Sequence, residues 1–245
     1  MGETGVGKAA VARLIHDRSP RASAMLVALD CEGLPDVLVE SELFGHMQGS
    51  FAGAYRDKPG LLEISPNGSL YLEEVGELSL PVQAVVLRFL ESGEIQRVGA
   101  DRAHANVNVR VITATSRDLD AQVAAGRFRE DLCSRLNGIR LAIPPLRERT
   151  EDIPVLVDHF LGSARQVYGA QAHTVSAAAL SVLMAYRWPG NVRELQNVVE
   201  RMVLSATGPT VQSSDVPAEI LQSDTACGAP VPTPRVSRVA PWSRL

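Results

Sequence analysis

A glycine-rich octapeptide stands at the start of the chain: Gly2-Glu3-Thr4-Gly5-Val6-Gly7-Lys8-Ala9 fits the pattern G-x-x-x-x-G-K and runs straight into helical spacing over residues 9–17. Glycines let successive backbone N–H groups turn inward around phosphate oxygens. The helix behind them adds the positive end of its dipole, and Lys8 reaches the outer phosphates. A cradle of this kind needs a sheet to carry it and a helix to follow it, so it restricts the fold more than any other segment. The general pattern ends in Ser or Thr, whose hydroxyl holds Mg²⁺, where this chain has Ala9. Taken alone, the octapeptide also allows an ordinary glycine-rich turn.

The rest of the chain supplies the context. Runs rich in Val, Ile, Leu or Thr at residues 25–30, 69–75, 107–115 and 138–143 alternate with helical spacing at 9–17 and 81–92. That alternation predicts the α/β class, with a mostly parallel sheet and helices on both faces. Pro81 suits a first helical turn and Gly93 a helix end. The apolar run Leu70-Tyr71-Leu72 ends in Glu73-Glu74, about 65 residues beyond Lys8, and resembles a Walker-B element. One acid at such a strand end can hold a metal while the next polarises the attacking water; a strand running into a solvated acidic turn is the other reading.

From residue 151 to about 222 the pattern turns helical. Ile153, Leu156, Val157, Phe160 and Leu161 share one face, further helices are expected over 176–186 and 191–204, and the turn Trp188-Pro189-Gly190 opens the last of them. Beyond residue 222, Pro230, Pro232, Pro234 and Pro241 interleave with Arg235, Arg238 and Arg244, leaving little that could bury a face. The predicted division is an α/β nucleotide subdomain over 1–149, a helical lid over 150–222 and a disordered tail over 223–245.

Composition excludes several classes. Hydrophobic residues make up 45% of the 245, enough to fold without staples, and 24 basic against 28 acidic residues leave a net charge of −4. No basic field announces direct DNA or membrane binding. Cys31, Cys133 and Cys227 are isolated and suggest neither a disulfide framework nor a zinc site. No run approaches the ~18 apolar residues of a spanning helix, and a cytoplasmic location is expected.

Five further phrases stand in order: Glu40-Ser41-Glu42-Leu43-Phe44-Gly45-His46, Gly49-Ser50-Phe51-Ala52-Gly53-Ala54, Gly126-Arg127-Phe128-Arg129-Glu130-Asp131-Leu132, Pro144-Pro145-Leu146-Arg147-Glu148-Arg149 and Trp188-Pro189-Gly190-Asn191-Val192-Arg193-Glu194-Leu195. Together with the cradle they resemble the central AAA+ ATPase domain of the sigma-54-dependent transcription activators, the bacterial enhancer-binding proteins, over about residues 2–221. The resemblance implies a P-loop NTPase whose parallel sheet is flanked by helices and followed by a small all-α lid. It also implies ATP and Mg²⁺ as cofactors, sigma-54 RNA polymerase as partner, and a homo-oligomeric ring with the active site between subunits.

Position by position, the resemblance makes Gly2, Glu3, Thr4, Gly5, Val6, Gly7, Lys8 and Ala9 the ATP-binding loop. Glu73 becomes the Mg²⁺ carboxylate and Glu74 the residue that activates water. Ser116 falls at sensor I, Arg193 at sensor II in the lid, and Arg129 and Arg135 match arginines that reach a neighbouring subunit's nucleotide. A planar guanidinium can meet two oxygens of a departing phosphoryl group at once, worth about 10³ to 10⁵ in rate. Gly49, Ser50, Phe51, Ala52, Gly53 and Ala54 correspond to the loop that touches the sigma factor, with Phe51 as its exposed apolar contact. The plain alternatives are that Arg129 and Arg135 pair on a helix face with Glu130 and Asp131, that Arg193 braces its helix against Glu194 or Glu200, and that Phe51 anchors its loop.

Several positions depart from the family pattern. Glu73 replaces Asp, which moves the carboxylate outward by one methylene. Asp30 stands where the family has an Asn thought to restrain the water-activating glutamate, and a second carboxylate there would repel Glu74 or raise one of the two pKa values. Ser116 replaces Asn and is not expected to span the same gap, Ala9 replaces a polar residue, and Ser50 and Ala52 alter the sigma-contact loop. The strand that leads into the phosphate loop and the downstream DNA-reading helix-turn-helix are not found in these 245 residues, which suggests an internal Met taken as the start or a broken gene. The expected function is an ATP-binding and ATP-hydrolysing module of a sigma-54-dependent regulator that remodels sigma-54 RNA polymerase. The alternative is a degenerate interaction module that binds nucleotide weakly and does not activate.

Overall fold

In the computed structural model, which describes residues 1–221, the glycine-rich loop feeds α1 (Lys8–Asp17), followed by β1 (Leu26–Asp30) and α2 (Asp36–Phe44). A short antiparallel pair, β2 (Gly45–His46) and β3 (Lys58–Pro59), brackets the 47–57 loop, and α3 (Leu61–Ile64) leads back to β4 (Ser69–Glu73). Next come α4 (Leu80–Ser92), the antiparallel pair β5 (Glu94–Ile95) and β6 (Ala105–Asn106), then β7 (Arg110–Thr113), α5 (Leu119–Ala124) and α6 (Glu130–Leu136). The final third holds α7 (Ile153–Tyr168), β8 (Thr174–Val175), α8 (Ala177–Ala185), α9 (Asn191–Ser205), β9 (Thr210–Val211) and α10 (Ala218–Leu221).

The central sheet runs β1-β4-β7 with every pairing parallel, and its register sets Asp30 beside Glu73 and Leu72 beside Thr113. β4 reads Ser-Leu-Tyr-Leu-Glu and is buried on both faces down to Leu72, as a middle parallel strand must be. Leu70 and Leu72 join Leu43, Phe44, Val82, Val86 and Phe89 in one cluster, while Tyr71 turns the other way onto Ala12 of α1 and Ala114. Helices therefore cover both faces. α4 begins with Pro81 in its first turn and ends at Gly93, whose φ of 71° is the left-handed stop that a glycine makes without a Cβ clash.

A second core lies in the helical part. Ile153, Val157 and Leu161 of α7 meet Leu183 of α8 and Leu195, Val198, Val199 and Met202 of α9. Trp188 is fully buried among them and its indole N–H donates to the Leu183 carbonyl at 2.8 Å.

One expected element is missing. Residues 138–143 form no strand, because a strand exists only through a ladder and the backbone partner of this stretch among the described residues is a single residue, Met1. The Met1 amine donates to the Leu141 carbonyl at 2.6 Å, and the Ile143 N–H donates back to Met1 at 2.9 Å. The segment stands off β7, and a cavity of about 570 Å³ lies there, lined by Lys8, Tyr71, Ile112, Arg135 and Leu141 among others. The tail expected over 223–245 lies outside the described residues.

Candidate functional site

The glycine-rich loop wraps the first turn of α1. Gly5 and Gly7 hold φ values of 80° and 99°, a left-handed region that side chains with a Cβ avoid, and Gly7 occupies the N-cap of α1. Among the described residues, the backbone N–H groups of Gly5, Val6, Gly7 and Lys8 donate to no protein acceptor. Clustered donors without acceptors at a helix N-terminus form an anion cradle. Lys8 itself is buried, and its ammonium donates to the Gly2 carbonyl at 3.1 Å and to Glu74 Oε1 at 2.6 Å.

The acidic half comes from the sheet. Glu73 is the last residue of β4, and Glu74 follows it at φ 50° and ψ 48°, a left-handed conformation that costs a non-glycine residue about 1 kcal/mol or more. Burial alone would raise the Glu74 pKa, but the bonds from Lys8 and from the Ser116 N–H and hydroxyl outweigh it and hold the carboxyl below its ordinary range. The Ser116 bonds are 2.7 Å from N–H and 2.8 Å from Oγ, both to Glu74 Oε2. Ser116 thus reaches the glutamate despite its short side chain, because β7 lies next to β4 and its chain continues past the carboxylate.

Asp30, the last residue of β1, makes no hydrogen bond to Glu74 among the described residues. Its carboxylate accepts from the Glu32 N–H at 3.0 Å, and its strand neighbour is Glu73. Glu73 has its pKa raised, first by burial and then by the Asp30 carboxylate, with Lys8 and Arg193 pulling the other way. The repulsion expected at Glu74 falls mainly on Glu73.

The loop is also gripped from the helical side. Glu3 points away from the cradle and forms two bonds with the Arg147 guanidinium at 2.6 and 2.8 Å, which with a bond from Asn191 hold its pKa down to about 2. The Asn191 amide donates to Glu3 Oε2 and to the Thr4 carbonyl, both at 3.1 Å. The Arg193 N–H donates to the Gly5 carbonyl at 3.2 Å, and Arg149 donates to the Val6 carbonyl at 2.8 Å. A Cβ on Gly5 would lie 2.3 Å from the Gly190 carbonyl, so the fit admits only glycine. Arg147, Arg149 and Asn191 had no assigned role in the sequence, and no local spacing could have supplied one.

The remaining predicted residues lie elsewhere. Arg129 caps α6 and pairs with Asp131 at 2.6 Å on the surface, while Arg135 donates to the Leu90 carbonyl at 2.9 Å. In this single chain neither bonds to the cradle. The Arg193 side chain is exposed at the start of α9, and Ala9 is exposed on α1. In the 47–57 loop, Gly49 and Gly53 take φ of 81° and 112°, and the Gly49 N–H donates to the Ala54 carbonyl at 2.8 Å to close the tip. Ser50 and Phe51 are half-buried, Ala52 is exposed and Ala54 buried. Phe51 is not the freely exposed contact expected: its ring meets His46 edge-on at 5.0 Å. Tyr55, which carried no assignment, is 87% exposed beside it.

Comparison with known proteins follows this geometry. Residues 1–142 match the family described as the sigma-54 interaction domain, and residues 147–231 match the AAA+ ATPase lid domain. The anaerobic nitric oxide reductase transcription regulator NorR of Citrobacter koseri is 51% identical over 205 residues, which is 84% of this chain and 40% of that protein. The Nif-specific regulatory protein of Azotobacter vinelandii is 47% identical over 211 residues, 86% of this chain and again 40% of the relative. The chain thus spans about two fifths of the length of these relatives. The crystal structure of NtrX from Brucella abortus in complex with ADP superposes with a TM-score of 0.81 at 36% identity, covering 94% of this chain and 51% of that one.

Proposed function

The chain belongs to the sigma-54 interaction family of AAA+ domains, and from that premise we propose that it binds ATP in the Gly2–Ala9 cradle, hydrolyses it, and acts in a sigma-54-dependent regulator on sigma-54 RNA polymerase. The observation that carries the reading is the convergence of Lys8 and Glu74, 66 residues apart in sequence and 2.6 Å apart in space, beside four backbone N–H groups without protein acceptors. The NtrX relative solved with ADP supports the nucleotide. Similarity to NorR and the Nif-specific regulatory protein supports the transcriptional setting.

The residues present fit Mg²⁺. Glu73 and Asp30 are hard oxygen donors on paired residues, the Asp30 carboxylate helps burial raise the Glu73 pKa, and a divalent cation relieves that repulsion. Mg²⁺, when bound with nucleotide, neutralises developing phosphate charge. Glu73 would hold it with help from Asp30, while Ala9 brings no hydroxyl. In this reading Lys8 orients the outer phosphates, Glu74 accepts the proton of the attacking water, and Arg193 faces the nucleotide from the lid. Arg129 and Arg135, unengaged with their own cradle, serve the cradle of a neighbouring copy in a ring. The 49–54 loop, with Phe51 at its centre, touches the sigma factor.

The test is titration of the purified full chain with fluorescent ADP and ATP, alongside phosphate release. Binding that Lys8→Ala abolishes supports the proposal; wild-type protein that binds neither nucleotide refutes it. A second reading, a module that binds nucleotide weakly and leaves sigma-54 inactive, is favoured by the raised Glu73 pKa beside Asp30 and by the missing hydroxyl at Ala52. Open-complex formation at a sigma-54 promoter separates the two, since the second reading predicts none.

A further inference from the structure

We propose that the outward contact of the 47–57 loop is made by Tyr55 and Arg56, with Phe51 as the loop's inner anchor, and that the pair takes an apolar pocket bordered by a carboxylate on the sigma factor. The proposal rests on the sigma-54 reading above and names the side chains that carry it.

The loop is closed by its own backbone. The Ser50 N–H donates to the Met47 carbonyl at 3.2 Å, the Ala54 N–H to the Phe51 carbonyl at 3.0 Å and the Tyr55 N–H to the Gly53 carbonyl at 3.0 Å. At the base, the Gln48 N–H donates to Asp57 Oδ1 at 2.7 Å, and the Met47 N–H donates to the Val98 carbonyl at 3.0 Å, which ties the loop to the turn after β5. A loop already ordered before it meets a partner loses little freedom on binding.

The side chains at the tip are turned inward or are small. Phe51 lies edge-on to His46, whose Nδ1 shares a 2.7 Å hydrogen bond with the buried Ser41 hydroxyl. Ser50 packs so closely on Gly99 that a Cβ there would come within 2.6 Å of the Ser50 Cβ. Ala54 is buried, and Ala52 offers only a methyl group. Phe51 must leave His46 before it can enter another surface.

Tyr55 and Arg56 need no such rearrangement. Tyr55 is 87% exposed, and its ring and hydroxyl meet no partner among the described residues. Arg56 is exposed as well and forms no ion pair or hydrogen bond among the described residues, while the next carboxylate along the chain, Asp57, turns back to the Gln48 N–H. A tyrosine ring offers a large apolar area on only two side-chain torsions, and tyrosine and arginine are the residue types that dominate binding energy at interfaces. The guanidinium beside the ring, free of any counter-charge, selects a pocket with a carboxylate at its border.

The experiment measures the affinity of the purified full chain for purified sigma-54 factor by interferometry, without nucleotide and with ADP or ATP, alongside a melt of every variant. Tyr55→Ala is expected to bind about thirtyfold more weakly with an unchanged melt. Tyr55→Phe, which keeps the ring, is expected to stay within about threefold of wild type. Arg56→Ala is expected to lose about tenfold at low salt and to flatten the salt dependence of binding, as removal of a charge pair requires.

Binding by Tyr55→Ala or Arg56→Ala within about threefold of wild type overturns the assignment and leaves the sigma-54 reading standing. A loss of binding that comes with a lowered melt overturns it too, since the residue then shapes the loop instead of meeting the partner. Wild-type protein that binds no sigma factor in any nucleotide state overturns both.

Discussion

Asn191 is the residue on which the helical part and the phosphate loop most depend, and its replacement by alanine has a magnitude that can be worked out. The side chain is fully buried, its oxygen accepts the Leu146 N–H at 2.8 Å, and its amide donates to Glu3 and Thr4. In Asn191→Ala the Leu146 N–H loses its acceptor inside the protein, which costs about 1–3 kcal/mol. Thr4 and Glu3 are exposed, and water replaces their lost bonds at little cost. The backbone at residue 191 has φ 53°, where asparagine sits more easily than alanine by about 1 kcal/mol. The total is about 3 kcal/mol, a large part of the roughly 5–15 kcal/mol that a folded chain of this kind possesses. For this length that lowers the melting temperature by about 6–12 °C. Urea unfolding and calorimetry of wild type, Asn191→Ala and Asn191→Gly measure it. Glycine relieves the backbone cost and is expected to regain about 1 kcal/mol. A loss below about 0.5 kcal/mol in Asn191→Ala would refute the accounting.

Other outcomes follow from the same geometry. Glu3 has its folded pKa depressed to about 2 by Arg147 and Asn191, so its contribution is fully present above the ordinary 4.5 and fades as pH falls to about 2. Both partners of the Arg147 pair are more than 40% exposed, which limits the effect to about 1 kcal/mol. The stability gap between wild type and Glu3→Gln should stay level from pH 7 to 5 and close near pH 2; a gap that persists there contradicts it. Leu195→Ala, at a fully buried position of α9, should cost about 2–5 kcal/mol in chemical denaturation. In the 47–57 loop, Phe51→Ala should cost about 1 kcal/mol through its edge contact with His46, whereas Tyr55→Ala should leave the melt unchanged. Equal losses at the two positions would show that the loop packs differently.

Much of the architecture was legible in the sequence because its signals are local. The central strand is a contiguous apolar run, α7 and α9 show their faces in their spacing, and the cradle is eight consecutive residues. Residues 138–143 misled because their composition suits a strand but a strand is a property of two segments, and composition says nothing of whether a partner runs alongside. The grip on the phosphate loop was illegible for a related reason. Glu3 and Arg147 are 144 positions apart, and an arginine in a proline-rich turn announces no partner. Asp30 and Ser116 were legible as departures but not in their effect. Register, which sets Asp30 against Glu73, and the path of the chain after β7, which carries Ser116 to Glu74, decide what each substitution does.

These contacts divide the site into two sets that meet at Lys8 and at Gly2, whose N–H donates to the Thr115 carbonyl at 3.3 Å. Glu3, Thr4, Gly5 and Val6 are each held by the helical side, through Arg147, Asn191, the Arg193 N–H and Arg149 in turn. Glu73, Glu74 and Ser116 belong to the sheet and its following turns. A displacement of the lid must therefore carry the first half of the cradle with it, while the acids stay with the strands. Lys8 lies between the sets, joined through its backbone to the loop and through its ammonium to Glu74. In the nucleotide-binding reading, a phosphate oxygen that draws on the Lys8 ammonium acts on one of the links between loop and sheet as well as on the charge of the site.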